Sequence, residues 1–142
     1  MSLKFFLTIA TIIMTAFAQT ISIGAPADGL TVSSGSNITI EVDRPNSISG
    51  SKEVAIVIAL RSCNTGGCID PASALGIVLY TGPYNPQYSS PPDQKPPHQN
   101  FSVQVPTSFT PGKATLSVTH LALIGAGPTP MLEFLNVTVN VA

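Results

Sequence analysis

Reactive chemistry in this 142-residue chain would have to be assembled mainly from two cysteines, two histidines and seven carboxylates. Cys63 and Cys68 bracket Asn64-Thr65-Gly66-Gly67. In an oxidising compartment such a pair reads as a disulfide, and the glycines permit the tight path. Closing so small a loop stabilises a fold by about 2 kcal/mol. A metal site needs further Cys or His nearby, and a redox motif needs C-x-x-C; the sequence supplies neither. His98 and His120 lack a Gly-x-Ser-x-Gly elbow, so His98, beside Pro96-Pro97, reads as a surface loop residue and His120 as a polar-face strand residue. Glu41 and Asp43, two apart, share one strand face. Glycosidase carboxylates must face each other across a sugar, so this pair, flanked by Arg44, reads as a solvated face. Asp28 before Gly29 and Asp70 before Pro71 suit turns. Gly125-Ala126-Gly127-Pro128 runs into a strand rather than a helix, and so reads as a turn and not a phosphate loop. These residues predict no catalytic site, no cofactor and no metal, and the chain is read as a non-enzyme.

The elements that carry these side chains are strands separated by proline and glycine. Thr20–Ile23 and Ile38–Asp43 alternate apolar and polar residues, the period of a half-buried strand. Val54–Leu60 is almost wholly aliphatic, so a central strand and a short buried helix both fit; its length and β-branching favour the strand. Leu75–Tyr80, Phe101–Val105, Ala114–Thr119 with Leu121–Ile124, and Leu132–Val141 follow, the last with Val137, Val139 and Val141 on one face. About seven strands with turns at sandwich-like intervals predict an all-β, immunoglobulin-like or fibronectin-like β-sandwich. Between Gly82 and Pro97 lies a loop with six prolines, Tyr84 and Tyr88. Loops this long are often functional, although a wrap over a sheet edge fits the composition equally.

The amino terminus predicts the compartment. Lys4 precedes an apolar run from Phe5 to Phe17, and Ala16-Phe17-Ala18 offers a cleavage site, so residues 1–18 read as a signal peptide and residues 19–142 as one β-sandwich domain. The apolar run is shorter than the roughly 20 residues that span a bilayer, and no membrane span is expected in the mature chain. Without Lys4, five basic and seven acidic residues leave a charge of −2, which excludes a nucleic-acid footprint. Charged residues are only 9% of the chain, well below the usual ~25%. Glycan is the expected cover, because Asn37-Ile-Thr39, Asn100-Phe-Ser102 and Asn136-Val-Thr138 are sequons. Asn136, in the last strand, is the weakest of the three. The protein is therefore expected to be secreted and extracellular.

Two blocks carry a resemblance. The first is Leu75-Gly76-Ile77-Val78-Leu79-Tyr80-Thr81-Gly82-Pro83-Tyr84-Asn85-Pro86. The second runs from Phe101 through Val105-Pro106, Phe109, Pro111-Gly112-Lys113-Ala114 and Leu123-Ile124-Gly125-Ala126 to Asn136-Val137-Thr138-Val139. Together they resemble the necrosis-inducing secreted protein family of fungal effectors. The resemblance implies a small secreted fungal protein that binds plant immune-receptor-associated kinases and suppresses pattern-triggered defence, with entry into host cells needed to reach a cytosolic kinase domain. Some members of that family also provoke cell death in plants. A surface for such a host partner is expected at Tyr84, Asn85, Tyr88 and His98, together with the turn from Gly125 to Pro130, including Pro128. Tyrosines on proline-stiffened loops make contacts at low entropic cost. The alternative is a structural glycoprotein of the fungal wall or matrix. A carbohydrate-binding module is disfavoured by the absence of Trp.

Overall fold

Alternation of aliphatic and polar residues builds two sheets whose apolar faces meet. The computed structural model describes residues 20–47 and 49–142; the expected signal peptide, residues 1–18, lies outside them. Eight strands follow in chain order: β1 (Ser22–Ala25), β2 (Leu30–Val32), β3 (Asn37–Asp43), β4 (Ser51–Ser62), β5 (Ile77–Gly82), β6 (His98–Gln104), β7 (Gly112–Ile124) and β8 (Thr129–Val141). One sheet has the order β1-β3-β6 and the other the order β2-β8-β7-β4-β5. The described chain is thus an all-β sandwich, as the strand pattern predicts. It has eight strands rather than seven because Leu30–Val32, too short to show a period, pairs in parallel with Val139–Val141.

Ile40 and Val42 of β3 and Phe101 and Val103 of β6 face Ile56, Ile58 and Leu60 of β4, Leu116 and Val118 of β7, and Val139 of β8 in one buried cluster. Each aliphatic side chain removed from water contributes about 1.5–3 kcal/mol. The aliphatic run Val54–Leu60 is indeed a strand, lengthened to twelve residues between β5 and β7. The segments Ala114–Thr119 and Leu121–Ile124 are one continuous strand of thirteen residues.

Strand register decides which side chains gather at one end of the sandwich. Asp43 pairs with His98, Ser51 with Ile124, and Ile124 with Thr129, so both of the regions expected to bind a partner sit at that end. In the β4–β7 ladder, Glu53 pairs with Ala122 and Ala55 with Leu121, leaving Val54 as an extra residue. Such a bulge re-aims a side chain. Here it puts Glu53 on the same inner face as Ile56, although the two are three residues apart.

Candidate partner-binding rim

Beneath this end of the sandwich lies a buried set of charges that starts from His120. The ring shares the inward phase of Leu116 and Val118 on β7 and is 0% exposed. Its Nδ1 lies 2.8 Å from Glu133 Oε2 on β8, and its Nε2 contacts Glu53 Oε2 on β4. Two carboxylate acceptors require two N–H donors, and only the imidazolium has both. Burial opposes the charged ring, but the hydrogen bonds to Glu133 and Glu53 outweigh it and raise the His120 pKa. Glu53 shifts the other way: burial raises its pKa, and the hydrogen bonds from His120 and Arg44 overcome this and lower it. Arg44 Nε lies 3.0 Å from Glu53 Oε1, and its Nη2 donates to Ser51 Oγ at 2.8 Å. The Arg44 backbone N–H donates to Pro97 O at 2.7 Å. Two cations and two carboxylates therefore neutralise one another, the condition under which buried charge is tolerated. The cluster ties β4, β7 and β8 to the segment leaving β3.

This overturns the reading of His120 as a polar-face residue. Glu53 and Glu133 were absent from the sequence reading, yet a signal existed. Glu133 sits in phase with Leu135, Val137 and Val139, and His120 in phase with Leu116 and Val118, so each is an ionisable residue in an apolar register. Both ring nitrogens of His120 are taken by carboxylates, and the ring has no solvent-exposed surface.

Tyr84 is also corrected. It was expected to present its ring to a partner, but it is only 4% exposed. Its hydroxyl donates to Val42 O at 3.1 Å, and its ring meets the His120 ring edge-on with centroids 5.4 Å apart. Burial pushes its phenol pKa up. Tyr84 thus anchors the proline-rich loop to the core. Glu41 and Asp43 are a second correction, since they are not a solvated pair. Glu41 is buried beneath Lys95, whose Nζ donates to its two carboxylate oxygens at 2.9 and 2.8 Å. Asp43 Oδ1 is buried without a hydrogen-bond partner, and burial, followed by the nearby Glu41 charge, raises the Asp43 pKa.

The remaining expected residues reach the surface. Tyr88 is 61% exposed, with its hydroxyl against Asn46 Nδ2. The Asn85 backbone N–H donates to Gln99 Oε1 at 2.7 Å. His98 is half-buried, with Nδ1 2.9 Å from Pro96 O, and its backbone exchanges hydrogen bonds with Gln87. Gly125 and Pro128 are exposed. Gly125 has φ +78°, a turn conformation open to glycine at little cost, and its N–H donates to Gly50 O at 2.8 Å.

Three grooves connect these parts. One of about 470 Å³ lies between Asn46, Tyr88 and the loop from Pro92 to Pro96. Another of about 640 Å³ is floored by Leu123, Ala126 and Pro128 and flanked by Lys52. A third of about 310 Å³ shares Asn46 with the first and Gly50 and Ser51 with the second. The loop and the turn therefore belong to one rim, bridged by residues 44–47 and 49–51, which no sequence pattern singled out.

Other expected positions lie away from the rim. Cys63 and Cys68 are bonded at the opposite end, where Ser62 pairs with Ala114. The sequon asparagines Asn37, Asn100 and Asn136 are all exposed, Asn136 included, and none lines a rim groove. Among the described residues no group of three or more His, Cys, Asp or Glu is placed to hold a metal ion, and no helix is long and apolar enough to cross a membrane.

A family model described as the Nis1 family matches residues 16–140. The chain belongs to the Nis1 family. The match takes in both blocks on which the resemblance rested and every residue of the rim in this Nis1-family chain. It also makes the protein effector-like and fungal in type. No curated protein gives a significant match.

Proposed function

We propose that this Nis1-family protein is a secreted effector that acts by binding, without catalysis, and that the rim docks on the cytoplasmic domain of a plant receptor-associated kinase and suppresses its activity. The observation that carries the docking surface is the continuity of the three grooves, the first lined by exposed Tyr88 and the third by Arg44 and Glu53 of the buried ionic cluster. A surface fixed in advance loses little conformational entropy when it binds. The sequons add support, because glycans on Asn37, Asn100 and Asn136 would decorate the flanks and leave the rim open. The non-catalytic reading rests on His120. Its two nitrogens are occupied and its ring is sealed, so the one histidine with carboxylate partners has no reach to a substrate. The kinase as target follows from the family resemblance.

The test is a pull-down of the protein secreted by a fungal host against cytoplasmic domains of plant receptor-like kinases, with autophosphorylation as readout. Binding with loss of phosphorylation is expected, and Tyr88→Ala should weaken both. Folded protein that neither binds nor inhibits would refute the kinase reading. Recovery mainly in a wall fraction would then favour a matrix role.

A further inference from the structure

Histidine is the side chain whose charge ordinarily changes between about pH 5 and about pH 8. His120 is sealed from solvent, but His98 is half-buried and open to it. His98 stands at the foot of β6, where its backbone is bridged to Gln87, and its ring touches the proline-rich loop at two points. Nδ1 lies 2.9 Å from Pro96 O, and Nε2 lies 3.4 Å from Ser89 Oγ. Ser89 Oγ donates to Asp93 Oδ2 at 2.8 Å, and Asp93 Oδ1 accepts the Lys95 backbone N–H at 3.1 Å. Ser89, Asp93, Lys95 and Pro96 all line the groove of about 470 Å³ beside Tyr88.

Donors and acceptors fix the protonation state that this chain of contacts needs. Pro96 O only accepts, so Nδ1 carries a proton. A serine hydroxyl has one proton, and that of Ser89 goes to Asp93. The hydrogen bond from Ser89 holds the Asp93 carboxyl below the usual carboxylate range, so Asp93 stays an acceptor wherever histidine titrates. Ser89 Oγ is left to accept from Nε2, which must then be protonated too. With a neutral ring, Nε2 and Ser89 Oγ present lone pairs to each other, and Ser89 can bond the ring only by leaving Asp93. Around the ring, Asp43 lies opposite His98 in the β3–β6 ladder, and its charge and that of Asp93 favour the imidazolium. Lys95 opposes it, but Glu41 engages the Lys95 Nζ. The Arg44 guanidinium is turned toward Glu53 and Ser51. Within the same loop Gln94 has φ +65°, a left-handed conformation that a residue with a side chain keeps only where its surroundings hold it.

We propose that His98 is a proton-operated clasp: its imidazolium ties Ser89 to Pro96 and shapes the groove beside Tyr88, and loss of the proton unties Ser89 and loosens residues 88–96. The clasp acts in the free protein, whether or not the rim docks on a kinase.

The test is NMR of the isotope-labelled secreted protein, without a partner, from about pH 5 to about pH 8. Backbone order parameters of Ser89, Ser90 and Gln94 should fall from about 0.85 to below about 0.6, in step with the ring signals of His98. Ser89→Ala should leave the loop loose at every pH while the ring still titrates. Asp93→Asn should do the opposite. It frees the Ser89 proton for the neutral ring, so the loop stays ordered throughout. If Ser89→Ala fails to fold, the wild type and Asp93→Asn decide. A wild-type loop whose order is unchanged across the His98 titration overturns the proposal, as does a pH-dependent loosening that survives Ser89→Ala or Asp93→Asn.

Discussion

The two ends of the sandwich are held by different physics. At one end the ties are a covalent clip and neutral hydrogen bonds. The Cys63–Cys68 disulfide closes a loop of sequence separation 5. The Cys63 backbone N–H donates to Lys113 O at 2.9 Å, and Asn64 Nδ2 donates to Pro111 O at 2.9 Å. Gly112 fits there because a Cβ in its place would come within 2.5 Å of Asn64 Oδ1, and its φ is +134°. At the rim end, Arg44, Glu53, His120 and Glu133 hold four chain segments together by charge. The disulfide of the first lock is local, and neither it nor the neutral hydrogen bonds beside it depend on pH. The second joins residues 67 and 13 positions apart and depends on a protonated imidazole. A surface meant to stay fixed while exposed loops differ around it is served by the second kind, since its strength comes from inside the sheets.

The sharpest way to break this contrast is His120→Ala. It leaves two buried carboxylates, and removal of one partner from a buried charge network costs about 3–5 kcal/mol, to be read by urea denaturation. The same lock sets a pH dependence. The raised His120 pKa gives a stabilising contribution that is fully present below about pH 6.5, the unfolded histidine value, and is lost as pH rises through the folded pKa. The lowered Glu53 pKa gives a contribution present above about pH 4.3 and lost as pH falls through its folded value. Stability from this lock should therefore be greatest between those limits and decline on the alkaline side. A series of unfolding midpoints from acid to mildly alkaline pH checks this, and His120→Gln should abolish the alkaline decline.

The double variant Cys63→Ser/Cys68→Ser should lose less, about 2 kcal/mol, with an unchanged pH profile. A larger loss than for His120→Ala would reverse the ranking of the two locks. Asn64→Ala should cost about 1 kcal/mol, the net worth of one hydrogen bond, by the same denaturation measurement. Tyr88→Ala should change stability by no more than about 0.5 kcal/mol, as for an ordinary surface substitution, while weakening partner binding. A large stability loss there would mean that the Tyr88 contact with Asn46 is structural.

The same contrast explains what was legible in the sequence. The disulfide, the turns at Gly125 and Pro106–Gly112, and the strands β3, β7 and β8 were readable because local spacing determines them. The rim cluster was not, because its geometry depends on the β4 bulge at Val54, which turns Glu53 inward, and on a cross-strand register that no local pattern states. Tyr84 misled for a related reason. Its neighbours are proline and polar residues, the composition of a surface loop, whereas its burial is set by Phe101 and His120 on strands far along the chain. Glu41 and Asp43 read as solvated because Lys95, more than fifty positions away, covers Glu41 from the proline-rich loop.

Under the proposed function, recognition lies at the rim end and not at the disulfide end. Hydrogen–deuterium exchange of the secreted protein, with and without a receptor-like kinase cytoplasmic domain, tests it most directly. New protection is expected in residues 44–51, 85–97 and 124–130, with residues 63–76 and 106–112 unchanged. Protection confined to the disulfide end, or none at the rim in a complex that forms, would contradict it.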